Sequence, residues 1–417
     1  MDRFGADDTH VHEASGTSPT VDGPDDDRPL DGTRVIELCQ WVAGPAATGI
    51  MADWGADVIK VEAPTGDPQR RVFASVGVTG DLPNPTFAQD NRGKRSIVLD
   101  LSTADGRSNF ERLLGGADVF VTNLRPDALD RLDLAPTDVL GRHPTLIVAA
   151  LSGYGSVGPA RDVPGYDIGG FFGRSGLART NSPTDAPPIF VRSGVGDHVT
   201  GLATAMGVMG ALLQRTRTGR GRVVETSLFG TGMYAASWDL GVQLTFGKLS
   251  SLRPRHRVVT PLVNSYRTSD HRWFFLIGLE AARHFPNLAA AIERADLVDD
   301  PRFASASAIA EHAEELIGVL DEAFAERPLS DWAERFDAHD VWWAPCQTMA
   351  DVAADPQAHA LGAFVPTDDP SADPAMPMRT VASPVHFDGT VYAPRRPVPR
   401  LGEHTAEVMA EIDDERS

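Results

Sequence analysis

The chain has 417 residues, of which 42% are hydrophobic and 23% charged, and its formal net charge is −20 at pH 7. This length is enough for two domains with hydrophobic cores, and the composition is typical of a globular protein. The negative charge argues against nucleic-acid binding. No apolar run approaches the roughly 18 residues that predict a membrane span, so we expect no membrane partner.

Residues 1–27 form an acidic segment with eight acidic residues against one basic residue. This segment lacks the apolar core of a signal peptide, and we expect a disordered tail. The two cysteines, Cys39 and Cys346, supply neither a disulfide framework nor the spacing of a metal site. We therefore expect a cytoplasmic protein with no bound metal and no permanently bound cofactor.

From residue 33 onward, short β-branched runs alternate with helical patterns. The predicted elements are strands at 34–38, 57–62, 96–101, 118–123, 145–151 and 219–228, and helices at 44–55, 103–115, 127–140 and 197–216. The predicted N-caps are Ser102 or Thr103 for the second helix and Asp197 for the last. Such alternation predicts an α/β fold, with a doubly wound parallel sheet, right-handed crossovers and helices on its faces.

The pattern changes after residue 230. A hairpin is predicted at 264–278, turning near residues 269–270, and helices are predicted near 281–293, 309–326 and 329–337. These elements indicate a second, smaller α+β domain. The expected domain limits are 28–225 for a large domain, 226–259 for a linker, 260–345 for the small domain and 346–417 for a return to the large domain.

A G-x-G-x-x-G pattern at Gly153, Gly155 and Gly158 follows the fifth predicted strand. A dinucleotide-binding loop requires a helix directly after its glycines, because the pyrophosphate binds at the N-terminus of that helix. Here Pro164 and Gly165 would interrupt such a helix within two turns. The pattern therefore lacks the helix that a dinucleotide-binding loop requires, and it does not predict dinucleotide binding.

The glycine-rich loop leads into the sequence "PGYD", which ends at Asp167. A carboxylate near the carboxyl end of a parallel sheet lies in the region where α/β proteins bind ligands. The same residue is also well suited to be a helix N-cap. Composition alone leaves both interpretations of Asp167 open.

Six segments stand out along the chain: "VAGPAATGIMADWGADVIKVEAPTGDPQRR", "NRGKRSIVLDL", "DVFVTNLRPDALDRL", "LSGYGSVGP", "PGYDIGGFFGRSG" and "TGRGRVVETSL". Taken together, over about residues 28–405, they resemble the class III coenzyme A transferases and their relatives, the α-methylacyl-CoA racemases. Their order and spacing carry the resemblance. It implies a homodimer of interlocked chains with acyl-CoA and a carboxylic acid as substrates.

The resemblance also implies that Asp167 is a nucleophile, which attacks the thioester and passes through a mixed anhydride and an aspartyl-CoA thioester. The backbone amides of Gly169 and Gly170 are candidate oxyanion donors. Arg70, Lys94 and Arg95 are candidates to hold the CoA phosphates, because they lie in the matching segments of an acidic chain. Resemblance to formyl-CoA transferase further implies CoA contacts for Leu99, Asn123, Leu124 and Arg131, and places Tyr154 near the acyl site.

Some positions depart from that pattern. Val42 stands where formyl-CoA transferase has a functional glutamine, and no run of glycines occurs near 270–285. Formyl-CoA and oxalate are therefore not expected as substrates. A racemase needs a second base opposite the aspartate, and His143 and His198 are candidates by chain position alone. A non-catalytic CoA-binding protein is the third alternative.

Overall fold

The computed structural model describes residues 27–73, 83–367 and 378–414. The predicted acidic tail therefore lies almost entirely outside the described residues. The described parts divide into two compact units by their internal contacts. The large unit lies within Met1–Gly165, Gly196–Leu228 and Pro356–Ser417, and the small unit comprises Tyr166–Val195 and Phe229–Asp355.

The described strands form one parallel and two antiparallel sheets. They are β1 Arg34–Leu38, β2 Asp57–Glu62, β3 Arg95–Val98, β4 Val119–Thr122, β5 Ile147–Ser152, β6 Arg222–Ser227, β7 Ser265–Arg267, β8 Trp273–Leu276, β9 Trp343–Pro345, β10 Phe364–Pro366 and β11 Arg379–Val381. The parallel sheet has the order β3-β2-β1-β4-β5-β6, and the antiparallel sheets are β7-β8-β9 and β10-β11.

The described α-helices connect and cover these sheets. They are α1 Ala43–Asp53, α2 Pro85–Asn91, α3 Ala104–Gly115, α4 Pro126–Arg131, α5 Pro136–Arg142, α6 Leu177–Thr180, α7 Val195–Thr218, α8 Leu228–Ala235, α9 Ser237–Phe246, α10 Ala281–Ala291, α11 Ala306–Glu311, α12 Ala313–Phe324, α13 Leu329–Ala338, α14 Met349–Ala354, α15 Pro356–Ala360 and α16 Thr405–Asp414. Among the described residues, no helix combines the length and apolar character needed to cross a membrane.

Each central strand of the large unit buries side chains on both faces. In β1, Val35 packs with the cluster that includes residues of α1 and α7, whereas Ile36 packs with residues of α3, α5 and α16. In β4, Val119 and Phe120 divide between the same two clusters. Since successive strand residues point to opposite faces, this division places helices on both faces of the sheet. The predicted doubly wound α/β fold class is confirmed.

The small unit has its own aromatic core, in keeping with the predicted α+β character. The hairpin β7–β8 pairs Tyr266 with Phe274 and is joined by β9. The rings of Tyr266 and Phe274 pack on Phe324 of α12 with centroid distances of 5.1 and 5.0 Å, and Phe336 of α13 completes the group. Edge-to-face packing of this kind adds to the free energy of burial.

The contact division differs from the predicted domain limits in three places. Residues 166–195 and 346–355 group with the small unit, and the predicted linker 226–259 contains the helices α8 and α9. The predicted helix over 127–140 is two helices, because Pro136 begins α5 and the residue before a proline disfavours helical backbone. Thr103 is the N-cap of α3, as predicted, but Asp197 lies inside the first turn of α7.

A fully buried network of charges connects β1, β2 and the residue just before β3. Glu37 in β1 accepts hydrogen bonds from Lys60 Nζ and Lys94 Nζ, both at 2.7 Å, and from Thr48 Oγ1 of α1 at 2.6 Å. Lys60 also lies 2.9 Å from Asp67 Oδ2. Burial opposes ionisation of Glu37, but the two ammonium charges outweigh it and lower the pKa of this carboxyl to about 2.

Replacement of Glu37 tests how strongly this network stabilises the fold. Glu37→Gln leaves the buried ammonium of Lys94 without its carboxylate and that of Lys60 with Asp67 alone. We expect a loss of about 3–5 kcal/mol in the free energy of unfolding at pH 7. Because the folded carboxyl has a lowered pKa, its contribution is present above its ordinary pKa and is lost as the pH falls towards 2. The difference in the free energy of unfolding between wild type and variant, measured by urea denaturation, should therefore narrow as the pH falls below about 4.5.

Glu111→Gln is the matched control, because Glu111 pairs with Arg142 at 2.9 Å with a side chain that is 40% exposed. An exposed pair of this kind contributes about 1 kcal/mol or less. Equal losses in the two variants would contradict a stabilising role for the buried network.

Candidate functional site

The carboxyl edge of the parallel sheet is built by loops that hydrogen-bond to one another. The amide of Asn123, directly after β4, accepts from the Gln40 N–H at 2.9 Å and donates to the Gln40 carbonyl at 2.6 Å. Asp67 Oδ1, after β2, accepts from the Trp41 N–H at 3.1 Å. The strand order reverses between β1 and β4, and at such a switch point α/β sheets bind their ligands.

Several of the predicted CoA contacts lie at this edge of the large unit. Leu99 follows β3, Asn123 and Leu124 follow β4, and Tyr154 follows β5. Arg131 is the last residue of α4, in the crossover that starts at the same edge. Its side chain is 66% exposed and is held by Asp127 Oδ2 at 3.0 Å.

Lys94 and Arg95 are placed elsewhere, which corrects their assignment to the CoA site. Arg95 begins β3, so it lies at the amino edge of the sheet, where its guanidinium bonds Asp57 of β2 at 2.6 Å and Glu411 of α16 at 2.6 Å. Lys94 is fully buried, and its ammonium contacts Glu37 and the Pro45 carbonyl at 2.7 and 2.9 Å. Both side chains hold the fold together, and neither presents a charge to a phosphate.

Arg70 lies after β2 but is also occupied within the large unit. Its guanidinium forms a two-pronged pair with Glu62 at 2.8 and 2.6 Å, donates to the Pro399 carbonyl at 3.0 Å and stacks over the ring of Phe87. The bidentate pair fixes the plane of the guanidinium. This residue therefore orders the loop after β2, and we do not assign it to the CoA site.

The glycine-rich loop contains no helix from Gly153 to Tyr166, as its failure to fit a dinucleotide motif predicts. Its first glycine has a packing role instead. A Cβ on Gly153 would lie 2.8 Å from Gly165 Cα, and a Cβ on Gly165 would lie 2.7 Å from Gly153 Cα. The absence of both side chains lets the loop contact the chain two residues before Asp167.

Asp167 begins a turn of π-helix over Ile168–Arg174 in the small unit, and its side chain is only 2% exposed. Oδ1 accepts a hydrogen bond from the Ile168 N–H at 2.7 Å, and Oδ2 accepts one from the Gly194 N–H at 2.7 Å. The residue is thus an N-cap, as one interpretation predicted. Two amide donors also fix the orientation of the carboxylate.

The proposed oxyanion donors at Gly169 and Gly170 are engaged otherwise. Both amides donate to the Tyr166 carbonyl, at 3.0 and 2.8 Å. They close the first turn of the helix and are not directed at Asp167. The amide that sequence reasoning missed is that of Gly194, which lies 27 positions later and has no side chain that could have signalled it.

The remaining candidate groups are the two thiols and the two histidines. Burial raises the pKa of both thiols, strongly at Cys39, where Glu37 adds to the effect. His143 precedes β5 at the amino edge of the sheet and pairs with Glu111 at 2.8 Å. His198 pairs with the buried Asp90 at 3.0 Å.

Comparison with known proteins identifies the family. The profile of CoA-transferase family III matches residues 30–405. The (R)-2-hydroxy-4-methylpentanoate CoA-transferase of Clostridioides difficile is 30% identical over 392 residues, which cover 93% of this chain and 96% of that protein. The succinyl-CoA–D-citramalate CoA-transferase of Chloroflexus aurantiacus is 33% identical over 399 residues, which cover 92% and 94%.

A solved structure agrees with these relatives. The CAIB/BAIF family protein from Brucella suis superposes with a TM-score of 0.81 at 30% sequence identity, covering 93% of this chain and all of that one. Fold and sequence thus agree over nearly the whole length. The chain belongs to CoA-transferase family III and is an enzyme that transfers CoA.

Proposed function

We propose that this enzyme moves CoA from an acyl-CoA thioester to a carboxylic acid through a covalent intermediate on Asp167. The observation that carries the proposal is a buried carboxylate that two backbone amides hold in place. Its relatives are named for different acids, among them 2-hydroxy-4-methylpentanoate and citramalate. The proposal therefore names the reacting groups, a thioester and a carboxylate, and not one pair of acids.

The chemistry proceeds by four displacements. The carboxylate of Asp167 attacks the acyl carbon and expels CoA thiolate, which leaves a mixed anhydride. The thiolate then attacks Asp167 Cγ and expels the donor acid as its carboxylate. The acceptor carboxylate reverses both steps, and Asp167 is restored. Together, these four easier displacements replace one difficult exchange.

Asp167→Asn is the sharpest test of this role. The substitution keeps the size of the side chain and its capping ability, but the amide is a poor nucleophile and accepts through one oxygen only. We expect CoA transfer to fall by several orders of magnitude while CoA binding persists, as measured by turnover and by calorimetry.

Asp351→Asn is the matched control, because Asp351 also accepts from a backbone amide at a helix start in the small unit, that of Thr348 at 2.7 Å. This control removes a carboxylate from a helix start and should keep its activity. Substantial transfer by the Asp167→Asn protein would contradict the proposed mechanism.

We propose that the CoA moiety binds at the carboxyl edge of the large unit, with Leu99, Asn123, Leu124, Arg131 and Tyr154 around it. Arg131 supports this placement because its guanidinium is exposed and its partner Asp127 is an exposed carboxylate. An exchange of this partner for a phosphate forms a charge-assisted hydrogen bond. Asn123, which is bonded at both ends to Gln40, orders the loop rather than donating to the ligand.

Removal of Arg131 tests this arrangement. Arg131→Ala should raise the KM for acyl-CoA several-fold with little change in kcat, since a hydrogen bond to a charged group contributes about 1.5–3 kcal/mol. Arg142→Ala deletes an arginine at the amino edge, where it pairs with Glu111, and should leave KM unchanged. Equal KM values in wild type and the Arg131 variant would remove this residue from the CoA site.

We also propose that the enzyme is a homodimer. Four large side chains on α8 and α9 are more than two-thirds exposed in the single chain: Tyr234, Trp238, Leu244 and Phe246. Exposed apolar surface of this kind indicates a protein interface, and the family resemblance implies an interlocked pair. Light scattering should give twice the chain mass at micromolar concentration, and Trp238→Glu should reduce the measured mass. A wild-type monomer would contradict the proposal.

A further inference from the structure

The two oxygens of Asp167 lie in different surroundings. The donor to Oδ1 is the amide of Ile168, a residue that is 40% exposed. The donor to Oδ2 is the amide of Gly194, which is buried together with Asp167. The amide partner of Oδ1 therefore belongs to a partly exposed residue, and the amide partner of Oδ2 belongs to a buried one.

The backbone of Gly194 is specialised for this contact. Its φ is +102°, a conformation that residues with side chains rarely adopt. This dihedral turns the chain immediately before α7 begins at Val195 and directs the N–H at Oδ2. A residue with a Cβ at this position would strain the backbone and displace the amide.

We infer that the Gly194 N–H is the oxyanion donor for the two steps that take place at the Asp167 carbonyl, an inference that rests on the function proposed above. Oδ1 forms the bond to the acyl carbon, so Oδ2 becomes the carbonyl oxygen of the anhydride. When CoA thiolate attacks Cγ, the electron pair moves onto Oδ2. Collapse breaks the Cγ–Oδ1 bond, and the donor acid leaves with that oxygen.

The same amide acts again when the acceptor carboxylate attacks Cγ of the aspartyl thioester and expels CoA thiolate. In the first and last steps the negative charge develops on the carbonyl oxygen of the substrate, which Gly194 does not contact. Two steps of the reaction therefore depend on the Gly194 amide, and the first and last steps do not. A preorganised donor at a developing oxyanion is worth about 10²–10³ in rate.

Gly194→Ala tests this division. With acyl-CoA and no acceptor acid, wild type should form the covalent CoA adduct seen by intact mass, and the variant should form it about 100-fold more slowly. The first step should proceed at a rate close to that of wild type. This step is followed by trapping the acyl group of the anhydride as its hydroxamate, with the Asp167→Asn protein giving the background.

Gly176→Ala is the matched control, because Gly176 has a φ of +93° in the same unit with no atom near its would-be Cβ. This variant measures the cost of backbone strain alone and should form the CoA adduct within about threefold of wild type. Replacement of Gly194 by glycolic acid keeps the freedom of φ and removes only the N–H. It should reproduce the slow adduct formation even where Gly194→Ala folds poorly.

Adduct formation at the wild-type rate in the glycolic acid protein would overturn the role of Gly194, as would an equal slowing of both the hydroxamate and the adduct. Failure of the proposed function gives a different result, since wild type itself would then form no CoA adduct. The two failures are therefore distinguishable in one experiment.

Discussion

The large unit depends on one buried carboxylate that is shared by two lysines. Glu37 of β1 binds Lys60 from β2 and Lys94 from just before β3, and it accepts from Thr48 of α1. The second contact of Lys60, to Asp67, connects this network to the loop whose Asp67 also holds the Trp41 amide. The charges that stabilise the interior thus fix the loops at the carboxyl edge, where ligands of α/β proteins bind.

At Asp167 the fold holds a carboxylate with backbone amides. Two N–H donors, from Ile168 and Gly194, hold the carboxylate in a site that is almost closed to solvent. A carboxylate held in this way is positioned before substrate arrives, which reduces the reorganisation needed during the reaction.

The sequence was sufficient for the architecture because strand and helix patterns are local. The parallel sheet, the helices and hairpin of the small unit, and the failure of Gly153–Gly158 as a nucleotide motif follow from short-range spacing. The roles of basic residues were not predictable in the same way. Arg95 finds its partner Glu411 at a separation of 316 positions, and Lys94 meets Glu37 across 57, so proximity to a family motif was misleading for both.

The contact made by Gly194 was not predictable for a different reason. It uses a backbone N–H, which every residue except proline carries, and only the folded chain shows that its direction matters. The division of the predicted helix 127–140 into two helices, by contrast, can be inferred from the sequence, because the residue before Pro136 disfavours helical backbone. Long-range partners and backbone donors are thus the parts of this site that require coordinates.

The most direct test of the central claim is to locate the covalent intermediate. Wild-type enzyme mixed with an acyl-CoA and quenched without acceptor acid is digested, and the peptide that carries CoA is sequenced by mass spectrometry. We predict a CoA thioester on the side chain of Asp167. An adduct on any other residue, or acyl transfer between substrates with no adduct formed, would contradict it.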